Sequence, residues 1–175
     1  MLALLLAALV GCDGGAAQGA VKDSAPAPAA APQTLIVPVL GIPRSALRDN
    51  FGEARGAARH EAIDIAAPRG TPVLAVADGR VVKLFRSIPG GLTVYQFDPQ
   101  SRYAYYYAHL DRCADTLKEG VLLKAGDTVG FVGSSGNASP EAPHLHFAIF
   151  ELGPEKHWWQ GRPLNPYPLL AATPR

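Results

Sequence analysis

From Leu35 onward, short apolar runs are broken every few residues by Gly, Pro, Asp or Asn, the pattern of a mostly β domain. Residues 71–76 and 80–85 flank Asp78-Gly79, a dipeptide favoured at the tip of a tight hairpin, and predict a hairpin there. Pro89-Gly90-Gly91 and Asp98-Pro99-Gln100-Ser101 bracket the run 92–97 and lead into 102–108, so these runs predict consecutive antiparallel strands. Lys124-Ala125-Gly126-Asp127 turns into a further strand over 128–133, and a polar loop follows over 134–143. Only 45–50 and 111–117 read as helical, and both are short. There is no internal repeat.

The segment His144-Leu145-His146-Phe147-Ala148-Ile149-Phe150 alternates with the period of a strand: Leu145, Phe147 and Ile149 share one face, His144, His146 and Ala148 the other. On a helix the two histidines would diverge by about 200°. On a strand they point the same way with Cα atoms about 6–7 Å apart, so one can serve a metal and the other an adjacent substrate. His60 and Asp64 pose the opposite problem, because residues four apart on an extended strand are separated by about 13 Å. A shared ion therefore requires a bend at Glu61-Ala62, with Asp64 on a strand whose Ile63 and Ile65 enter the core. Taken alone, Asp64 also reads as the solvent-facing position of an amphipathic strand. His109 falls at the end of a strand on which Tyr103, Tyr105 and Tyr107 share its face and Ala104, Tyr106 and Ala108 lie opposite. The fifth histidine, His157, sits among charges and beside Trp158-Trp159, and reads as a surface or packing residue.

Two imidazoles and a carboxylate are the donor set of a catalytic zinc site, and two further imidazoles could move protons. Composition leaves room for this chemistry and closes off others. The 175 residues suffice for one well-cored domain, and 16 Lys and Arg against 15 Asp and Glu leave a net charge of +1, with no electrostatic reason to expect nucleic acid as a partner. Residues 1–11 carry no charge and have the length of a signal-peptide apolar core, too short to span a bilayer. No Lys or Arg precedes Lys22, so the basic stretch that ordinarily opens such a leader is missing. Leu9-Val10-Gly11-Cys12 resembles the lipobox of bacterial lipoproteins, which implies a lipid anchor at Cys12 and a periplasm-facing address in the cell envelope; Asp13 resembles an inner-membrane retention signal. Residues 12–34, rich in Ala and Pro, cannot bury enough apolar area to fold and read as a tether reaching on the order of 60–70 Å. With Cys12 lipidated, Cys113 stands alone, so no disulfide is expected within the domain over 35–175, and its thiol reads as packing.

Read in order, His60-Glu61-Ala62-Ile63-Asp64-Ile65, Ala67-Pro68-Arg69-Gly70-Thr71-Pro72-Val73, Ala77-Asp78-Gly79-Arg80-Val81, Tyr107-Ala108-His109-Leu110, Ala125-Gly126-Asp127, Gly133-Ser134-Ser135-Gly136-Asn137 and Pro143-His144-Leu145-His146-Phe147 closely resemble the lysostaphin/LytM-type zinc metallopeptidases, bacterial cell-wall endopeptidases. The similarity runs over about 38–170. It implies a compact antiparallel β-sheet domain with an open groove, of the duplicated-hybrid-motif type. It further implies zinc held by His60, Asp64 and His146, catalytic roles for His109 and His144, and peptidoglycan peptides as substrate. One free imidazole takes the proton of water while the other stabilises developing charge; His144 is favoured as the base because it shares a strand with a ligand. Many relatives carry Gly where Ala62 stands, and alanine is tolerated there if the bend needs no positive φ. Some relatives have lost ligands and act as noncatalytic activators of other wall hydrolases. This chain keeps every polar residue the chemistry needs.

Overall fold

A computed structural model describes residues 35–172. The expected leader, the Cys12 anchor and the tether fall outside the described residues. The strands are β1 (Ala54–Arg55), β2 (Ala58–Arg59), β3 (Ile63–Ala66), β4 (Pro72–Leu74), β5 (Gly79–Ser87), β6 (Gly91–Phe97), β7 (Tyr103–Cys113), β8 (Leu122–Leu123), β9 (Thr128–Val132), β10 (His144–Leu152) and β11 (Gly161–Leu164). The small sheet β1-β2 stands beside a large antiparallel sheet of order β11-β10-β7-β6-β5-β8, to which β3 adds on β10, β9 on β7, and β4 on β9. The consecutive strands expected over 92–97 and 102–108 are β6 and β7, and the alternating histidine strand is β10.

Two expectations fail. Residues 71–76 and 80–85 do not form a hairpin: β4 pairs with β9, while β5 pairs with β6 and β8. Asp78 instead bonds Lys124 Nζ and the Ala125 N–H. Gly79 opens β5 where a Cβ would come within 2.2 Å of the Phe97 carbonyl oxygen, so the glycine serves strand approach rather than turn geometry. The helical expectation also misplaces the helices. Over 45–50 there is only a 3-10 turn, Arg44–Ala46, and 111–117 begins as the end of β7. The one α-helix among the described residues, α1 (Pro166–Ala171), begins with a proline at its first turn, and its Asn165 cap accepts from the Tyr167 N–H. Two prolines in six residues hid it from a periodicity reading. The Arg44 guanidinium ties it down, donating to the carbonyls of Leu170 and Leu35.

The alternation seen in the sequence decides which face of the sheet is dry. Ile63, Ile65, Tyr107, Leu145, Phe147 and Ile149 are buried in the main core, leaving Asp64, His144 and His146 on the other face. At its centre, the Tyr107 hydroxyl donates to Gln96 Oε1 at 2.8 Å and accepts from the Val76 N–H at 3.1 Å, while Gln96 Nε2 donates to the Ala77 carbonyl. These buried polar groups are thereby satisfied, and two strands and a loop are tied together. Cys113 is free and packs against the core.

Candidate metal centre

His60 Nε2, Asp64 Oδ1 and His146 Nδ1 form a nearly equilateral triangle with edges of 3.1, 3.1 and 3.2 Å. Asp64 and His146 are direct cross-strand partners of β3 and β10, so the antiparallel register sets their side chains side by side on one face. His60 arrives by a different route. It follows β2, its N–H donates to the Glu53 carbonyl, and the chain then bends at buried Ala62 before β3 begins. The expected bend is therefore present. Ala62 is not among the described residues with positive φ, which explains why alanine serves there.

Four imidazoles face this centre, and main-chain carbonyls choose the tautomer of three. His60 Nδ1 donates to the Asn50 carbonyl at 3.0 Å, His109 Nδ1 to Ser135 at 2.8 Å and His144 Nδ1 to Ala142 at 2.9 Å. A carbonyl can only accept, so each neutral ring keeps Nε2 as a bare acceptor. His144 Nε2 lies 3.8 Å from Asp64 Oδ1. The His109 ring stands 5.0 Å from that of His144 and 5.5 Å from that of His146. His157 is not among the residues that line this groove and stacks on Trp159 instead.

His109 corrects the sequence reading. It does not end its strand, and it does not share the face of Tyr103, Tyr105 and Tyr107, which are buried in the core. It lines the groove with Tyr106 and Ala148 instead. The cause is a slip in register: the β6–β7 pairing shifts between Leu92/Val94, and His109 adopts φ +59°. An inserted residue in the left-handed region turns its side chain to the opposite face, at a conformational cost that such sites commonly carry. The His109 N–H donates to the Gly90 carbonyl, which helps to hold that backbone.

Several supporting residues carry no signal in ligand spacing. Asn50 touches both arms of the centre, its carbonyl taking His60 and its side-chain oxygen accepting the Asp64 N–H at 3.1 Å. Arg55 Nη2 donates to Asp64 Oδ2 at 2.8 Å, leaving Oδ1 for the triangle. Ser135 supplies the His109 carbonyl partner, while its hydroxyl accepts from the Leu92 N–H and donates to the Leu110 carbonyl. The Gly133-Ser134-Ser135-Gly136 run marked this loop in the sequence without revealing that task. Burial works against the Asp64 charge, but the hydrogen bond with His146, the charge of His60 and the hydrogen bond from Arg55 outweigh it and hold the carboxyl well below the usual carboxylate range. Burial pushes His109 down, against the Ser135 carbonyl, which favours the charged ring; His146 and His144 push it down further.

The donor set fits zinc. Tetrahedral zinc at about 2.0–2.2 Å from imidazole and carboxylate ligands spaces them roughly 3.3–3.5 Å apart, slightly wider than the triangle here. Two imidazoles and one carboxylate make the three-ligand set that catalytic sites use, and His60, Asp64 and His146 are the group among the described residues that could hold such an ion. They sit in a groove of about 510 Å³ whose walls include Arg55, Tyr106, His109, Asn137 and His144. Bare imidazole acceptors beside a metal-competent triangle in an open groove can support hydrolysis.

Known proteins share this arrangement of sequence and fold. The chain is 33% identical over 136 residues to the L-Ala--D-Glu endopeptidase of Bacillus subtilis, covering 73% of this chain and 40% of that protein. It is 37% identical over 119 residues to the DD-carboxypeptidase/endopeptidase Mpg of Neisseria meningitidis, covering 66% of this chain and 24% of that protein. The chain thus spans less than half the length of either relative. Among solved structures, the catalytic domain of the antimicrobial peptidase lysostaphin from Staphylococcus simulans superposes with a TM-score of 0.62 at 25% identity, covering 74% of this chain and 96% of that one. A zinc containing peptidase from Vibrio cholerae gives a TM-score of 0.54 at 27% identity, covering 66% and 33%. The pattern of peptidase family M23 matches residues 58–166, the stretch that carries all five residues of the site, and by that match the chain belongs to peptidase family M23.

Proposed function

We propose that this chain is a zinc-dependent endopeptidase that hydrolyses peptide bonds in the stems or crosslinks of peptidoglycan, acting from the periplasm-facing side of the bacterial cell envelope on a lipid anchor at Cys12. The observation that carries the reading is the triangle of His60 Nε2, Asp64 Oδ1 and His146 Nδ1 with 3.1–3.2 Å edges, flanked by two imidazoles whose Nε2 atoms are left as acceptors. The relatives named as peptidoglycan DD-endopeptidases, ShyB and ShyC of Vibrio cholerae, support the substrate class.

His60, Asp64 and His146 would hold the zinc. When bound, zinc supplies Lewis acidity that acidifies water and polarises a carbonyl. His144 Nε2 accepts the proton of the attacking water and later returns it to the leaving amine, so the ring ends as it began. Ala142 keeps His144 in the tautomer that can do this. His109, fixed by Ser135 and Gly90, orients the substrate and stabilises the charge that develops on its carbonyl oxygen. Arg55 holds the outer oxygen of Asp64, which keeps the carboxylate ionised and directs Oδ1 inward.

Digestion of purified sacculi by the full chain, followed by mass spectrometry of the released muropeptides with and without a zinc chelator, tests metal, activity and bond together. Shortened or uncrosslinked muropeptides that vanish with chelator and return with zinc are expected. Intact sacculi of several chemotypes, with zinc demonstrably bound, would sink the reading in favour of a noncatalytic wall-binding or hydrolase-activating module.

A further inference from the structure

One face of the molecule exposes aromatic area that the hydrolytic centre does not use. Starting at His146, the Tyr106 ring lies 6.0 Å away, Tyr95 4.6 Å from Tyr106, Trp158 4.8 Å from Tyr95, and Trp159 5.3 Å from Trp158. Each member belongs to the groove side of the sheet or to the β10–β11 loop that folds over it. Tyr106 lines the groove, and Trp158 packs on the small satellite cluster of Phe97, Ala104 and Leu152. The outermost ring is 62% exposed, although indole is a side chain that folding ordinarily covers. It is nevertheless held in place: His157 stacks on Trp159 at 4.5 Å with 8° between the planes, and Trp158 meets it edge-on. Phe85, 41% exposed, flanks Trp158 on the other side.

A flat, supported and solvent-facing ring is suited to a ligand that is itself flat and apolar on one side and polar at its rim. A pyranose has that form, with C–H groups on its face and hydroxyls around its edge. The polar side chains that such a rim requires are adjacent. His157 also lines a cavity of about 550 Å³ together with Glu155, Lys156, Gln160 and Arg162. Planar carboxylate, amide and guanidinium groups bond paired hydroxyls. The ledge begins one ring contact from a proposed metal ligand and steps from Tyr106 through Tyr95 and Trp158 to Trp159.

We propose that the ledge from Tyr106 to Trp159 is a carbohydrate subsite that seats the glycan strand to which the peptide in the groove is attached. The identity of that glycan rests on the proposed peptidoglycan substrate; the binding of pyranose rings does not require hydrolysis. A peptidase built in this way takes its peptide from glycan-linked polymer in preference to free stems.

The test uses the full chain with chelator present, so that nothing is cut, and glycan strands stripped of every stem peptide by an amidase. Titration should quench intrinsic tryptophan fluorescence, and the strands should cosediment with the protein. Trp159→Ala should bind about tenfold more weakly and Trp159→Phe should fall between the two, whereas Leu122→Ala, which removes a still more exposed apolar group elsewhere, should bind as the parent does. Unchanged affinity in Trp159→Ala would overturn the proposal, as would equal loss in Leu122→Ala. Saturation of the quench by sugar-free stem peptides would also overturn it and assign the ledge to peptide. Digestion of intact, stem-bearing sacculi by the zinc-loaded parent chain tests the peptidase reading separately: a chain that binds bare glycan through Trp159 but cuts nothing keeps this subsite and loses that reading.

Discussion

His144 and His146 are two residues apart and share a face, yet their ring nitrogens are presented differently. His146 turns Nδ1 to Asp64 at 3.1 Å, while His144 spends Nδ1 on the Ala142 carbonyl and keeps Nε2 free. A ligand and a base therefore stand side by side, and substitution should separate them. His60→Ala and His146→Ala should lose stoichiometric zinc, measured by elemental analysis after dialysis. His144→Ala should retain the metal and lose roughly 10²–10⁴-fold in hydrolysis, the range of a general base. Loss of zinc from His144→Ala would return that residue to the ligand set.

At the scale of elements, the site depends on two loops that meet glycine against glycine. A Cβ on Gly136, at φ +77°, would come within 2.3 Å of the Gly91 nitrogen, and one on Gly91 within 2.3 Å of the Ser135 carbonyl carbon. This close approach brings the Ser135 carbonyl to His109 and the Ser135 hydroxyl to β6 and β7. Gly136→Ala should therefore cost about 1–3 kcal/mol, from strain and clash together, and reduce cleavage while zinc content stays unchanged, because no proposed ligand is on either loop. Urea denaturation and elemental analysis of one preparation would show it. Beneath the sheet, Tyr107→Phe would strand the Val76 N–H and Gln96 Oε1 in the core. The expected cost is about 1–3 kcal/mol in urea, without change in metal content. Strand positions followed from alternation in the sequence, but strand partners did not. Hydrogen-bonded edges are interchangeable to the backbone, and β4 found β9 because residues distant in sequence filled the space beside it.

At the scale of the whole molecule, the described domain contains no helix long and apolar enough to cross a membrane. In the proposed reading, retention at the membrane is assigned to a lipid on Cys12. Cys12→Ser should abolish labelling by a fatty-acid precursor in cells and move the protein from the membrane to the soluble fraction. Persistent membrane retention of that variant would refute the anchor. In the same reading the Ala- and Pro-rich stretch sets how far from the bilayer the groove can work, on the order of 60–70 Å when extended.

Local chemistry in the sequence settled the positions that a strand's own period controls: Ile63 and Ile65 inward with Asp64 outward, Leu145, Phe147 and Ile149 inward with His144 and His146 outward, and the need for a bend at Glu61-Ala62. Ordered motifs supplied the family. Only the tertiary structure decided where His109 points, because a one-residue slip between β6 and β7 reverses the face that strict alternation assigns. It alone placed Asn50, Arg55 and Ser135 around the ligands, since hydrogen bonds between residues up to 26 positions apart leave no period to detect. It likewise assembled Tyr106, Tyr95, Trp158 and Trp159 into one ledge from three separate segments of chain.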